Sequence, residues 1–463
     1  MKIKVQKLTI GAVLIAAASA FLFCSGFKKA SDYGNGESGY LKSATYYSDE
    51  WVINFWNSES NHMEEELKQI AEDGFNSIIL VVPWREFQPS MNPQCYNDYA
   101  WEKFDRVMEA AQRQDLKVML RVGYTWDYYS GDNVLERYEK LLYDDGTKRA
   151  WIQYAKRLYE RAAVHENFCG GFITWEDFWN FAENSVFYGS GLAGRKMASK
   201  CGYTQYVKEH YTLEELEEMY QDTFKTYEDV YLPDSLNTYS RKVFYQFYDD
   251  FLNKILAETQ AVFPDLSMEV RLDIDPVKRP DGTLEGVFHD ATFTCGSSSF
   301  TSAMYSVAMG FESNGQELSA AQALAGTGQN LDRLSAANGG KKLYVDQFLF
   351  TDNTPGFEQN AKLTESEKSA YLDGVSDIFK AKTLGYAIWT YRDYGDNKLY
   401  NPQFALDKQG WDFSSGSYIE ERDGNKMAVI PPFGEISQNI KKRSAGGLSL
   451  IHISEPTRHA QIS

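Results

Sequence analysis

The stretch GGFITWEDFW, residues 170–179, begins with two glycines, continues as a short apolar run and ends on two carboxylates flanked by tryptophans. A short continuous apolar run of this kind predicts a buried β-strand. The C-terminal end of that strand would bring Glu176 and Asp177 into an aromatic cleft. Because a carboxylate at a strand end is also a common solvated cap, the meaning of Glu176 depends on what the rest of the chain places around it.

Strand-like and helical segments alternate on both sides of this stretch. Strands are predicted at 50–57, 76–83, 117–123, 268–275, 302–309, 341–350 and 384–391. Helices are predicted at 62–73, 96–114, 151–164, 241–263, 318–337 and 364–382. Residues 178–238 are polar, rich in tyrosine and partly helical, and are predicted to form an elaborated loop. The alternation is typical of a parallel sheet, and eight units over about 350 residues predict a (β/α)8 TIM barrel with its active site at the C-terminal strand ends.

The fifth predicted strand, MEVRLDID at 268–275, alternates between apolar and polar residues. Successive side chains of a strand point to opposite faces, so the apolar residues can face outer helices while the polar ones face an interior. The inward row would consist of Glu269, Arg271, Asp273 and Asp275. An inward polar row suits the lumen and mouth of a barrel. At the last predicted helix, Thr364 and Glu367 have the spacing of a capping box.

The composition restricts the partners that the chain can bind. Its net charge of −18 and its pI near 4.9 argue against binding nucleic-acid phosphates or anionic lipid through bulk charge. Aromatic residues make up 15% of the chain, and many stand beside Asp, Asn or Gly rather than within apolar runs. Some of these rings are therefore expected in a cleft, where aromatic faces stack on the apolar faces of sugars, although most will be ordinary core residues.

The N-terminus has the features of an export signal. Three lysines precede the uncharged run at 8–23, which contains the small-residue sequence Ala18-Ser19-Ala20. This pattern predicts a secretory signal peptide and a secreted or cell-surface protein. Cys24 raises the alternative of a lipid anchor, but lipoprotein signals have a small residue directly before the anchored cysteine, and here that residue is Phe23. No later stretch is apolar enough to predict a membrane span.

The remaining cysteines, Cys95, Cys169, Cys201 and Cys295, are widely spaced and form no CxxC pair. Export permits disulfides, but this spacing does not resemble a disulfide scaffold, and no histidine spacing suits zinc. The cysteines are therefore interpreted as small buried apolar residues. No metal or other cofactor is expected.

On these elements the chain resembles, over roughly residues 48–395, the clan of retaining (β/α)8 glycoside hydrolases that includes cellulases and mannanases. The resemblance implies an acid/base Glu at the end of strand four and a nucleophile Glu at the end of strand seven. Glu176 matches the acid/base position, Tyr305 the strand-six tyrosine that supports the nucleophile, and Trp389 the strand-eight tryptophan that floors the sugar site. One departure is Trp175, since clan members usually have Asn before the acid/base residue.

The second departure is at strand seven, where the clan's V-T-E-F-G is matched by VDQFL at 345–349. The one-to-one alignment puts the neutral amide Gln347 at the nucleophile position, and an amide cannot attack as a carboxylate does. Asp346 is one residue away and is the candidate second catalytic residue. It would be a nucleophile at about 5–5.5 Å from Glu176, or a base for water at about 6.5–9.5 Å. The alternative is a structural Asp, because the strand's own alternation puts Asp346 with Tyr344 on one face and Gln347 with Val345 on the other.

Other candidates lie at or near the predicted C-terminal strand ends. The substrate-binding candidates are Trp56, Trp84, Arg85, Trp126, Asp275, Tyr305, Gln347 and Trp389. Tryptophans there would stack on sugar faces, or, in the alternative, pack between loops. The reserve carboxylates are Glu86, Asp275, Glu312 and Asp393.

The end of the chain differs in character from the barrel region. Residues 399–447, with GWDF at 410–413 and GEISQNI at 434–440, resemble the opening of a jelly-roll module of the carbohydrate-binding type. Too few residues are present to close such a sandwich of about eight strands, so this part is expected to be poorly ordered or held by the barrel. Residues 448–463 resemble a translated sequencing adapter and are excluded. The predicted organisation is therefore a signal peptide at 1–23, a linker at 24–47, the barrel at 48–398, the truncated module at 399–447 and the adapter artefact at 448–463.

Together these features predict an exported glycoside hydrolase that cleaves a β-linked polysaccharide or oligosaccharide. A monomer is expected. One alternative is a non-catalytic polysaccharide-binding barrel, motivated by Gln347 and Trp175. Another is an exported barrel with a non-sugar substrate, since this fold carries many chemistries.

Overall fold

The structure of the protein is a computed structural model. It describes residues 39–48, 50, 52–59, 62–124, 134–174, 177–178, 185–235, 238–271, 275–287, 296–306, 316–349, 361–392, 399, 401–402, 404, 406–422 and 425–438. The predicted signal peptide, the adapter-like tail and Cys295 lie outside the described residues.

Eight parallel strands close into a barrel, which confirms the predicted fold class. In chain order they are β1 (Leu41–Tyr46), β2 (Ser77–Val82), β3 (Lys117–Val122), β4 (Phe168–Thr174), β5 (Ser267–Arg271), β6 (Phe300–Ser306), β7 (Lys342–Leu349) and β8 (Thr383–Ile388). Each strand pairs with its neighbours in chain order, and β8 pairs with β1 to close the ring. A Cβ at Gly385 would lie 2.5 Å from both Cβ and O of Leu41, so the closing seam requires a residue without a side chain.

The first strand was assigned wrongly from the sequence. It is β1 at 41–46, inside the predicted linker, whereas the predicted strand at 50–57 contains the short helix Val52–Phe55. β1 is difficult to recognise in the sequence because Ser43 and Thr45 stand where apolar residues would indicate a buried strand. Ser43 faces the lumen, where it hydrogen-bonds Ser77 of β2 and accepts from Tyr344 of β7. The apolar run at 52–56 is buried as a helical turn, which periodicity in so short a segment cannot distinguish from a strand.

Six longer helices stand between consecutive strands. They are α1 (Met63–Glu72), α2 (Asp98–Arg113), α3 (Asp145–Ala162), α4 (Ser240–Gln260), α5 (Ala320–Ala337) and α6 (Lys368–Lys382). Between β5 and β6 the described residues form a hairpin of Asp275–Lys278 with Leu284–Val287, and no helix is found in that described part. The segment after β4 contributes helices Leu192–Lys200, Tyr203–His210 and Leu213–Tyr220. Short helices Trp84–Phe87 and Val134–Lys140 follow β2 and β3.

The predicted capping box at the last helix does not form. Thr364 makes no side-chain cap hydrogen bond, and the Glu367 carboxylate instead accepts from the backbone N–H of Ala320 at 2.8 Å. Glu367 therefore caps the neighbouring helix α5. That helix has its own box, in which Ser319 and Gln322 bond each other's backbone.

The barrel buries two apolar layers. The lumen is filled by Leu41, Ile79, Met119, Cys169, Phe172, Phe300, Tyr344, Leu384 and Ala387. A larger layer packs between the strands and the surrounding helices. Burial raises the pKa of the Cys169 thiol to about 12, so this cysteine is an inert core residue. Cys201 is also buried, whereas Cys95 is exposed, contrary to the interpretation of the cysteines as core residues.

The described C-terminal residues form two small antiparallel sheets. Asp412–Phe413 pairs with Ile436–Ser437, and Tyr418–Arg422 pairs with Asn425–Val429. The segment is fastened to the barrel at the loop after β1, because the backbone N–H of Asn401 donates to Asn57 Oδ1 at 3.0 Å.

Candidate active site

Strand β7 carries a β-bulge at the position where the sequence left two candidates open. Against β6, Ala303 pairs with Val345 and Met304 with Gln347, so Asp346 is the extra residue. Val345 and Phe348 pack in the outer layer and Tyr344 in the lumen. After Val345, the next side chain that points to the outer helices is that of Phe348. The bulge therefore turns the side chains of both Asp346 and Gln347 towards the lumen. The ambiguous alternation is thereby resolved: both side chains lie on the inner face, each 3% exposed.

Asp346 is hydrogen-bonded to the neighbouring strand β6. The hydroxyl of Ser302 in β6 donates to Asp346 Oδ2. Ser302 is itself fully buried and lies beside Glu269 of β5 in the strand register. A hydroxyl donor to a carboxylate favours its ionised form and fixes its direction.

Arg121 of β3 lies at the centre of the site. Its Nε and Nη2 donate to Asp177 Oδ2 and Oδ1 at 3.1 and 3.2 Å, which makes a two-pronged ion pair. Nη2 also donates to Thr174 Oγ1 at 3.3 Å, and Nη1 lies 3.5 Å from Gln347 Oε1. One guanidinium therefore connects the ends of β3, β4 and β7. The sequence reasoning missed this residue, although KVMLRVG at 117–123 shows an arginine in an otherwise apolar strand.

Two aromatic rings enclose the same guanidinium. Arg121 Cζ lies 5.4 Å from the ring centroids of both Tyr124 and Trp389. Trp389, directly after β8, is partly exposed and packs against Tyr47 at 5.9 Å. Contact between a cation and a ring face is attractive within about 6 Å. Trp389 therefore lies beside Arg121, directly after the C-terminal end of β8.

The end of β4 is capped locally. Thr174 Oγ1 accepts from the backbone N–H of Asp177 at 2.9 Å while Arg121 holds the Asp177 carboxylate. Both residues are fully buried. Trp175 and Glu176, which lie between them in sequence, are outside the described residues. Burial, with a further contribution from the Asp177 carboxylate, raises the pKa of the nearby Tyr138 well above its usual value.

The inward polar row of β5 is partly observed. Glu269 is fully buried and pairs in register with Thr174 on one side and Ser302 on the other, while Met268 and Val270 pack outside. Glu269 is therefore a lumen carboxylate. Arg271 and Asp275 are described by their backbone only, with Asp275 opening the hairpin after β5.

Two candidate tryptophans are core residues. Trp56 packs edge-on against Phe55 and Phe87, with its indole N–H donating to Val81 O at 2.9 Å. Trp84 lies among Tyr138, Trp151 and Tyr154 and donates to Gln88 at 2.7 Å. Neither ring has an exposed face. The structure therefore corrects their predicted stacking role to packing, because other aromatics already cover both rings.

Arg85 is also enclosed. Its Nε and Nη2 donate to Glu86 Oε1 at 2.9 and 2.7 Å, and both residues are buried. The pair Arg85 and Glu86 is a buried ion pair in the short helix after β2, so the structure does not offer Arg85 to a ligand. Tyr305 is placed in β6 by its backbone. Trp126, Glu312 and Asp393 lie outside the described residues.

Among the described residues, no group of three or more His, Cys, Asp and Glu side chains could hold a metal ion. No helix in that same part of the chain has the length and apolarity to cross a membrane.

No family model matches the chain, and a search of curated proteins finds no match. Solved structures similar to it include an exo-β-1,4-mannosidase from Opitutaceae bacterium strain TAV5, with 12% identity and a TM-score of 0.47 over 83% of this chain; the chain spans 56% of that protein. A GH5_18 protein from Streptomyces cattleya, solved with Manβ1-4GlcNAc, has 13% identity and a TM-score of 0.46 over 78% of this chain and 73% of its own. The catalytic domain of a β-amylase from Paenibacillus polymyxa has 12% identity and a TM-score of 0.46, covering 78% and 94%. The strand order of the closed ring, rather than these distant likenesses, identifies the chain as a (β/α)8-type barrel.

Proposed function

We propose that the protein is an exported glycoside hydrolase that cleaves a β-linked polysaccharide or oligosaccharide. Glu176 is its proton donor and Asp346 its second carboxylate. The observation that carries the proposal is the bulge of β7, which turns Asp346 into the lumen of the barrel. Export is proposed from the N-terminal sequence alone.

The chemistry requires two carboxyl groups in different protonation states. One donates a proton to the leaving oxygen, and the other, ionised, attacks the anomeric carbon or activates a water molecule. Ser302 donates to Asp346, which suits Asp346 for the ionised role. The Arg121–Asp177 pair anchors the residue next to Glu176 in sequence, which supports Glu176 as a positioned acid. Trp389 supplies a partly exposed ring for a sugar face.

The experiment compares Glu176→Gln and Asp346→Asn with the wild type on aryl β-glycosides and on a panel of β-linked polysaccharides. Loss of turnover by at least about a thousandfold is expected for each, since general acid catalysis and covalent or base catalysis each contribute factors of that size. Glu160→Gln and Asp332→Asn, which change exposed carboxylates in the C-terminal halves of helices α3 and α5, are the matched controls. Full activity in Asp346→Asn would refute its catalytic role, and NMR of the first product would assign retention or inversion.

A second function is favoured by one specific observation. Gln347 occupies the place that the resemblance gives to the nucleophile, and a buried amide suits binding rather than attack. A non-catalytic polysaccharide-binding barrel would bind the same panel in calorimetry and release no reducing ends. Released reducing ends that disappear in Glu176→Gln would exclude this alternative.

A further inference from the structure

Gln347 and Arg121 meet across the full width of the barrel. In the closed ring, β3 and β7 are separated by four strand steps in either direction, so they stand opposite each other. Arg121 Nη1 nevertheless lies 3.5 Å from Gln347 Oε1. Contact between opposite strands requires both side chains to point at the barrel axis. Gln347 is therefore a residue of the central mouth and not of the wall.

The contact with Arg121 determines the orientation of the Gln347 side-chain amide. Arginine has only donors, so the amide oxygen of Gln347 turns towards it and the amide nitrogen turns away. No described residue accepts a hydrogen bond from Gln347 Nε2, and although the side chain is only 3% exposed, this nitrogen is not one of the fully enclosed atoms that lack a partner. Such a group suits a site whose hydrogen bonds are completed by a ligand.

The neighbouring residue supplies the complementary group. Asp346, turned to the same side by the bulge, carries only acceptor atoms when ionised, and Ser302 donates to its Oδ2. Asp346 and Gln347 thus present an acceptor and a donor side by side. Two adjacent hydroxyls of a sugar ring present the matching donor and acceptor.

We propose that Gln347 determines sugar specificity, because its amide nitrogen donates a hydrogen bond to one hydroxyl oxygen of the substrate. That hydroxyl lies beside the atom on which Asp346 acts, which is either the anomeric carbon or the oxygen of the attacking water. This inference rests on the proposed function. It assigns Gln347 a binding role that a glutamate would not fill, because a carboxylate at 347 would pair with Arg121 and offer the ligand no donor. The rival explanation is that Gln347 is a lost nucleophile.

The test uses Gln347→Met, which keeps the side-chain length and removes both hydrogen-bonding groups, and Gln347→Glu. The probes are 4-nitrophenyl β-glucoside, β-mannoside and β-galactoside together with monodeoxy analogues of the best of them. Kinetic constants and, for any probe bound without turnover, calorimetric dissociation constants are measured. Gln260→Met is the matched control, since Gln260 is a partly buried glutamine that donates to Leu266 O at the end of α4.

Gln347→Met is expected to lower kcat/KM, or raise Kd, about tenfold on the parent sugar, the equivalent of one hydrogen bond. The same variant should cause no further loss on the one deoxy analogue that lacks the hydroxyl read by Gln347. Its melting temperature should stay close to that of the wild type, because the hydrogen bond of the Gln347 side chain to a described residue is the long contact of 3.5 Å with Arg121. A purely structural role would lower it.

Equal losses on every deoxy analogue would overturn the specificity role. So would a Gln347→Glu variant that hydrolyses faster than the wild type, since that result marks a lost nucleophile. Wild-type protein that neither binds nor cleaves any probe or polysaccharide would overturn the hydrolase proposal itself. Cleavage that is insensitive to position 347 would remove only the present inference.

Discussion

The guanidinium of Arg121 donates to both carboxylate oxygens of Asp177, at donor–acceptor distances of 3.1 and 3.2 Å, and both side chains are buried. The two residues are 56 positions apart in the chain. Their pairing holds Asp177, the neighbour of Glu176 in sequence, so we expect the stability of the mouth and the proposed activity to depend on the same contact.

Arg121→Lys should damage both properties, because an ammonium cannot reproduce the two-pronged contact. Breaking a buried pair costs roughly 3–5 kcal/mol, whereas an exposed pair contributes less than about 1 kcal/mol. Urea unfolding of Arg121→Lys should therefore show a much larger loss than Arg113→Lys, whose partner Glu64 and own side chain are about half exposed. Equal losses in the two variants would contradict a buried role for Arg121.

Ser302→Ala should lower kcat/KM and move the acidic limb of its pH profile to higher pH. The hydroxyl donates to Asp346, and its removal makes the ionised carboxylate less favourable, so more alkaline solution is needed to form it. Ser297→Ala, an exposed serine before the same strand, is the control. A reduced rate with an unshifted profile would indicate damaged packing instead.

Lys103 should make stability depend on pH in the alkaline range. Burial lowers its pKa to about 8, although its Nζ donates to Phe55 O and to Ser58 O at 2.6 Å. Between pH 8 and 10.5 the unfolded chain holds a proton that the folded chain has released, so this residue makes the free energy of unfolding rise with pH. The slope is at most about 1.4 kcal/mol per pH unit.

The measurement for Lys103 is urea unfolding of the wild type and of Lys103→Met at pH 7.5, 8.5 and 9.5, with the difference between the two taken at each pH because buried cysteines and tyrosines contribute equally to both. The free energy of unfolding of the wild type should rise with pH relative to that of Lys103→Met. Lys254→Met, which changes an exposed lysine, should follow the wild type. Parallel curves for wild type and Lys103→Met would show that Lys103 releases no proton on folding in this range.

Gly385→Ala should destabilise the closing seam of the barrel by several kcal/mol, on the order of other overpacked core sites or more. The added methyl would meet the backbone and Cβ of Leu41 at 2.5 Å, where no side chain can move aside. Gly326→Ala is the opposite control. Nothing lies within 4 Å of its added methyl in helix α5, and helix propensity alone should stabilise the protein by roughly 0.5–1 kcal/mol.

The sequence predicted the closed barrel and seven of its strands, because long apolar runs and amphipathic helices alternate regularly. It missed β1, where Ser43 and Thr45 replace apolar residues in the lumen. It also left Asp346 and Gln347 undecided, since strict alternation allows only one of them to face inward. The bulge that admits both comes from pairing with β6, which no local pattern reports.

Burial could not be predicted for the tryptophans. Trp56, Trp84 and Trp389 all follow strand ends in sequence, yet only Trp389 keeps an exposed ring. The difference arises from what the loops bring over each ring, such as Phe87 for Trp56 and Tyr138 for Trp84. These partners are 31 and 54 positions away, beyond the reach of a local motif.

The extra residue in β7 has an evolutionary consequence. In an unbulged strand only every second side chain faces the cavity, so a functional group moved by one residue would face the surrounding helices instead. Here two successive residues, Asp346 and Gln347, face the same space, so a single substitution at either position changes the group that the strand presents there. Point substitutions at 346 and 347 alone can therefore vary the chemical groups that descendants of this gene present at the mouth of the barrel.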